Sequence, residues 1–169
     1  MSEKWNYAFV DGQNLHLWTL SEDPSWDIDF KRFRRYLREK YNVTEAFYFL
    51  WYVNEEHNEL YKKIQKSGFI VMFKNHTINM KTEKKWNVDS DIIFHIMKSL
   101  IDESEEFEKI VLVSWDGDYK NVVDYLIKKG RFLKILFPNK KFSSSLYKKL
   151  WSEFYDNLLN NRAKLERIK

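Results

Sequence analysis

The chain has 169 residues, no cysteine, 44% hydrophobic and 18% aromatic residues, and a net charge of +4. One domain with a well-filled core is expected, while disorder, disulfide scaffolds and thiolate metal sites are excluded. No apolar run approaches the roughly 20 residues of a membrane helix and "MSEKWNYAFV" holds no signal-like stretch, so a cytoplasmic protein without a membrane partner is expected. The mild positive charge hints at a polyanionic partner.

Strand and helix patterns alternate along the chain. Tyr7 to Val10 is a short unbroken apolar run, as in a strand buried on both faces. "DFKRFRRYLREKY" reads as a helix, with Phe30, Phe33 and Leu37 at helical spacing and Asp29 as its cap. "AFYFLWYV" is a second strand, and "NELYKKIQKSG" a helix ending at Gly68. "FIVMF" is a third strand, followed by a basic loop, "KNHTINMKTEKKWN". "DSDIIFHIMKSLI" is a helix with Ile92, Ile93, Ile96 and Leu100 on one side. "KIVLV" is a fourth strand, "YKNVVDYLIKKG" a helix ending at Gly130, and "FLKILF" a fifth strand. Ser143 to Ser145 can cap a last helix carrying Leu146, Leu150, Phe154 and Leu158. Such alternation implies a parallel sheet with helices on both faces. One domain over residues 1–160 is expected, with 161–169 as a helix extension or frayed tail.

Ligands of open parallel sheets bind beyond the carboxyl ends of the strands. "DGQN" after the first strand holds Asp11 and Asn14, and "WDGD" after the fourth holds Asp116 and Asp118. "NVDSD", ahead of the third predicted helix, holds Asp89 and Asp91. Carboxylates from three segments should converge, and acids so close repel unless a cation joins them. Oxygen donors with neither Cys nor a His pair suit Mg2+ or Mn2+. Each piece alone has a plainer reading, as a turn or a helix cap. Residues two apart on a helix do not share a face, so Asp89 is placed as a ligand and Asp91 held as a further candidate. Of the four histidines only His16 stands close to this set in sequence, and none shows paired metal spacing.

Basic residues from Lys31 to Lys40 crowd the first predicted helix, where a solvated face is expected. Lys74, Lys81, Lys84 and Lys85 stud the loop that leads to Asp89, where lysines beside a carboxylate–metal cluster would hold phosphates. Trp86, in the same loop, either stacks on a base or packs beneath the loop. Ser114, at the end of the fourth strand, reads as a strand-end hydrogen bonder.

The stretches "FVDGQNLHL", "KKWNVDSDIIFHIMKSL", "LVSWDGDYKNVVDYLIKKG" and "LKILFPNKKFSSSLYKKL" together resemble the NYN-domain proteins, the LabA-like branch of the PIN-like nucleases. They span nearly the whole chain in that family's order. The resemblance implies a PIN-like three-layer α/β sandwich with a five-stranded parallel sheet of strand order 3-2-1-4-5, and a divalent-metal ribonuclease site. Asp11, Asp89, Asp116 and Asp118 fall on its acidic positions, Asn14 on its asparagine, and Ser114 on the serine that opens its "SGDGDF" motif. The family's glycine is Trp115 here, which either obstructs an RNA strand or offers it a stacking surface. Tyr119 in place of Phe reads as a mild change.

The leading expectation is thus a metal-dependent ribonuclease acting on single-stranded or structured RNA. One or two Mg2+ or Mn2+ ions are held by the four aspartates, and the products carry a 5′-phosphate and a 3′-hydroxyl. Ser114, Lys81, Lys84, Lys85, Trp86 and Trp115 are the candidate RNA contacts. The rival is a catalytically weak or inactive RNA-binding regulatory module of the same fold. A small-substrate phosphohydrolase would need a second acid in "DGQN", which is missing. Tyr147, Trp151 and Tyr155 form a second stripe on the last predicted helix. They either fold back onto the domain or make a homodimer through that helix.

Overall fold

The computed structural model describes residues 5–50, 55–73, 88–139 and 145–168, with the side chain of Trp18 left out. Its sheet has strands β1 (Asn6–Asp11), β2 (Val43–Leu50), β3 (Ile70–Phe73), β4 (Lys109–Val113), β5 (Phe132–Phe137) and β6 (Tyr155–Asn157). All neighbours are parallel, in the order β3-β2-β1-β4-β5-β6. The helices are α1 (Gly12–Leu20), α2 (Phe30–Tyr41), α3 (Asn58–Lys66), α4 (Asp89–Asp102), α5 (Lys120–Lys128) and α6 (Arg162–Leu165). None of the described helices is long and apolar enough to cross a membrane.

The central strands divide the core by alternation. Ala8, Val10, Val111 and Val113 face one cluster with α2, α3 and α6 residues such as Phe33, Ile64 and Leu165. Tyr7, Phe9, Ile110 and Leu112 face a second cluster with Ile92 and Ile96 of α4 and Val123 and Leu126 of α5. Successive strand side chains point to opposite faces, so a strand covered on both sides must be apolar throughout. This is the three-layer α/β arrangement expected from the alternation of patterns.

Two departures from the sequence reading have physical causes. Helix α1 has no single apolar stripe: Leu15 is buried, whereas Leu17 and Leu20 are exposed. Its start is set instead by Asp11, whose carboxylate accepts from the Asn14 amide. The long last helix is absent. Residues 145–161 form short 3-10 turns around β6, which joins β5 through Ile135 and Tyr155 as the sheet's sixth strand. Leu150 and Phe154 pack on the second cluster while Leu158 lies in the first, on the other side of the sheet, so one helical stripe cannot hold them. An open sheet edge offering backbone partners overrode the helical spacing. The dimer expected through that helix loses its helix: Tyr147 is buried, and Trp151 and Tyr155 are exposed outside any helical stripe. Downstream, Leu165 is fully buried and the Arg167 amide donates to the Asp27 carbonyl, so this segment packs back onto the domain.

Candidate metal centre

Strand order reverses at β1, between β2 and β4, and open parallel sheets bind their ligands beyond the strand ends at such a switch. Val10 pairs with Val113, so the chain leaves the sheet side by side as Asp11 and Ser114. Gly12 is confined there: a Cβ would stand 2.2 Å from the Tyr48 ring and 2.7 Å from the Phe49 carbonyl oxygen. Only glycine lets α1 begin directly at the end of β1, which places Asp11 at the helix start.

Asp11 is 3% exposed. Its Oδ1 accepts from the Asn14 amide at 3.1 Å, and its Oδ2 accepts from Asn14 Nδ2 at 3.1 Å and from the Tyr119 hydroxyl at 3.2 Å. Burial, then the charge of Asp89, raises its pKa to about 6 against the pull of these hydrogen bonds. Asn14 Oδ1 is buried with no hydrogen-bond partner. Turning the amide over would aim that oxygen at a carboxylate, so its orientation follows from charge.

After β4 the chain makes a tight acidic turn. Ser114 is fully buried, and its hydroxyl accepts from the Asp116 amide at 3.2 Å. Asp116 Oδ1 accepts from the Asp118 amide at 3.1 Å, and the buried Tyr147 hydroxyl donates to the Asp116 carbonyl at 2.6 Å. The turn's backbone is therefore held from inside the protein, and its carboxylates are left outward. Asp89 is the first residue of α4 and is buried. Carboxylate oxygens of Asp89, Asp116 and Asp118 lie within 4.8 Å of one another. Three acids so placed repel, and a hard cation with metal–oxygen bonds of about 2.1 Å fits such oxygen donors after a small closing movement. The residues present therefore suit a divalent cation of the Mg2+ or Mn2+ kind.

Asp11 and Asp91 are not members of that trio. Asp91 lies two residues further along α4, on a different face from Asp89. Asp11 reaches Asp89 through Tyr119. The phenol donates to Asp89 Oδ1 at 2.6 Å and contacts Asp11 at 3.2 Å, with its ring fully buried. Burial, then the charges of Asp11 and Asp89, pushes the phenol far above its usual pKa, so it remains a donor. Sequence reading treated Tyr119 as a mild change. Its signal was a phenol in the turn after "DGD", where a hydroxyl adds a buried polar group that must find a partner.

Among the expected RNA contacts, Ser114 is corrected. It is fully buried and has no surface to offer a ligand; its hydroxyl belongs to the turn. Trp115 is half-buried and packs against the second core cluster. Lys81, Lys84, Lys85 and Trp86 lie outside the described residues. Two of the six basic residues on α2, Arg34 and Lys40, are used within the fold. Arg34 donates to the carbonyls of Gly68, Val43 and Thr44, and Lys40 pairs with Asp156. A cleft of about 810 Å³ among α1, α2 and α3 is lined by Gly12, Leu15, His16 and Tyr48 but by none of the four aspartates. Concavity alone does not move the chemistry there, because the convergent carboxylates are elsewhere.

The NYN domain family model matches residues 7–158. The chain is similar in fold to a protein of unknown function from Vibrio parahaemolyticus RIMD 2210633, known from its crystal structure. The two share 16% identity at a TM-score of 0.74, over 94% of this chain and 95% of that one. No curated protein matches the chain.

Proposed function

The chain belongs to the NYN domain family, and from that premise we propose that it is a divalent-metal-dependent ribonuclease of the LabA-like branch, a PIN-like enzyme hydrolysing single-stranded or structured RNA in the cytoplasm. The observation that carries this reading is the meeting of Asp89, Asp116 and Asp118 at the strand-order switch, with oxygens within 4.8 Å of one another.

In this reading the trio, backed by Asp11, holds Mg2+ or Mn2+, and Asp91 stays outside. When bound, the ion supplies Lewis acidity to the scissile phosphate and to an attacking water. The protein's own part is preorganisation. Asn14 fixes Asp11 through both of its nitrogens. The hydrogen bonds from Asp118 to Asp116, and from Asp116 to Ser114, keep the turn in one shape. Carboxylates held in place before the substrate arrives do not have to be ordered during the reaction. Lys81, Lys84 and Lys85 take the phosphates, and Trp86 and the partly open Trp115 offer ring surface to bases.

The test is hydrolysis of an end-labelled single-stranded RNA with Mn2+ present. The expected products carry 5′-phosphate and 3′-hydroxyl ends, EDTA stops their formation, and Asp116→Asn abolishes it in a folded protein. RNA binding with no cleavage by the wild-type protein at any Mn2+ concentration would replace this reading with the non-catalytic RNA-binding module.

A further inference from the structure

The Tyr119 hydroxyl reaches both Asp11 and Asp89. We propose that its hydroxyl is a positioning group for metal capture, tying Asp89 of α4 to Asp11 of β1 so that Asp89 faces the Asp116–Asp118 turn. This inference rests on the proposed metal site. Asp11 is anchored to the start of α1 by two Asn14 nitrogens, so its carboxylate is a fixed reference. A phenol ring is rigid beyond its two side-chain torsions, and this one is packed in the second core cluster with no exposure. The hydroxyl has one proton. It is shared between Asp89 Oδ1 at 2.6 Å and Asp11 Oδ2 at 3.2 Å, the shorter bond being the stronger.

The placement explains how two carboxylates from separate elements are held in one register. Asp11 and Tyr119 are 108 residues apart, and Asp89 and Tyr119 are 30 apart. A donor bound to a metal-ligating carboxylate sets its orientation, and loss of such a donor typically weakens metal affinity by about 10- to 100-fold. A phenylalanine at this position would pack in the same cluster without a hydroxyl, so the tether rests on that one oxygen.

Tyr119→Phe removes one oxygen and keeps the ring, and circular dichroism checks the fold. Binding of Mn2+ is followed by the electron paramagnetic resonance signal of the free ion, without RNA. The expected result is a Kd weakened by about 10- to 100-fold, with cleavage recovering as Mn2+ is raised to saturation. A merely structural phenol would lower the melting temperature in EDTA and leave the Mn2+ Kd alone. An affinity within about twofold of wild type, or a tighter one, overturns the inference. Should Tyr119→Phe not fold in buffer, both proteins are compared in a stabilising osmolyte such as sucrose; the same loss is expected and the same invariance overturns it. If the wild-type protein binds no Mn2+, the functional reading falls and the inference with it. If wild type binds and the variant binds equally well, the inference alone falls.

Discussion

Two carboxylate–tyrosine networks in this molecule are built from the same parts and end in opposite electrostatic states. Asp156 on β6 accepts from Lys40 Nζ at 2.6 Å and from the Tyr41 hydroxyl at 3.1 Å, while Lys40 also donates to Tyr36 at 3.2 Å. Burial pushes Asp156 up, but the Lys40 hydrogen bond and charge, with the Asn157 amide and Tyr41, outweigh it and hold the carboxyl below its usual range. Asp11 has an amide, a phenol and a second carboxylate around it, and burial leaves it raised to about 6. The first network contains its own cation and ties α2 to the sheet edge. The second concentrates negative charge where a cation can arrive from outside. A carboxylate matched within the chain serves the fold, and one held unmatched at a strand end is available for chemistry.

The largest expected effect separates the two networks by activity. Asp116→Asn keeps the side-chain volume and removes the charge a cation needs, so RNA cleavage should fall by at least about 100-fold with the fold intact. Asp156→Asn should leave the cleavage rate within about twofold. Equal losses from the two substitutions would erase the distinction. Next in size is the response to metal. A ligand at a hundredfold excess over its Kd stabilises the native state by about 2.7 kcal/mol, so millimolar Mn2+ should raise the melting temperature of wild type and of Asp156→Asn over that in EDTA. Asp116→Asn should respond far less. Overlapping wild-type curves with and without Mn2+ would leave the acidic trio without a cation.

Third comes stability without metal. Asp156→Asn loses a charged hydrogen bond to a partly exposed Lys40, at a cost of about 1–2 kcal/mol, read as a lower melting temperature. Asp116→Asn, which relieves repulsion, should be neutral or stabilising. Fourth is pH. The pKa of Asp11 rises from the ordinary 3.8 to about 6 on folding, so folding favours the protonated acid. Its stabilising contribution is full below the unfolded value and is lost as pH climbs through the folded one. Asp11→Asn carries no charge, so in EDTA it should gain on wild type between about pH 4 and about pH 6 and keep a constant lead above that. A constant difference between the two proteins across that window would contradict this.

The smallest effect concerns where the charge of RNA is met. Replacing Lys81, Lys84 and Lys85 should flatten the salt dependence of binding by about 0.7 per lost phosphate contact on a single strand. Replacing Arg32, Arg35 and Arg38 should change it less. The reverse ranking would move the RNA path to α2.

Sequence by itself determined the five strands from β1 to β5, because a strand covered on both faces needs an unbroken apolar run, a purely local signal. It also determined that Asp11, Asp89, Asp116 and Asp118 stand at strand or helix ends on one side of the sheet, since parallel connections return every strand in the same direction. Helix α2 was legible from its stripe and its Asp29 cap, whose carboxylate accepts from the Arg32 amide at 3.0 Å. Tertiary structure decided the rest. Only the open edge of β5 turns Tyr155–Asn157 into a strand where helical spacing stands in the sequence. Only the Tyr48 ring shows why Gly12 must lack a side chain. Only packing in the second core brings the Tyr119 hydroxyl to Asp11, 108 residues away. Periodicity records which face of an element is buried; it carries no record of which buried polar groups meet across elements, and that meeting organises the site.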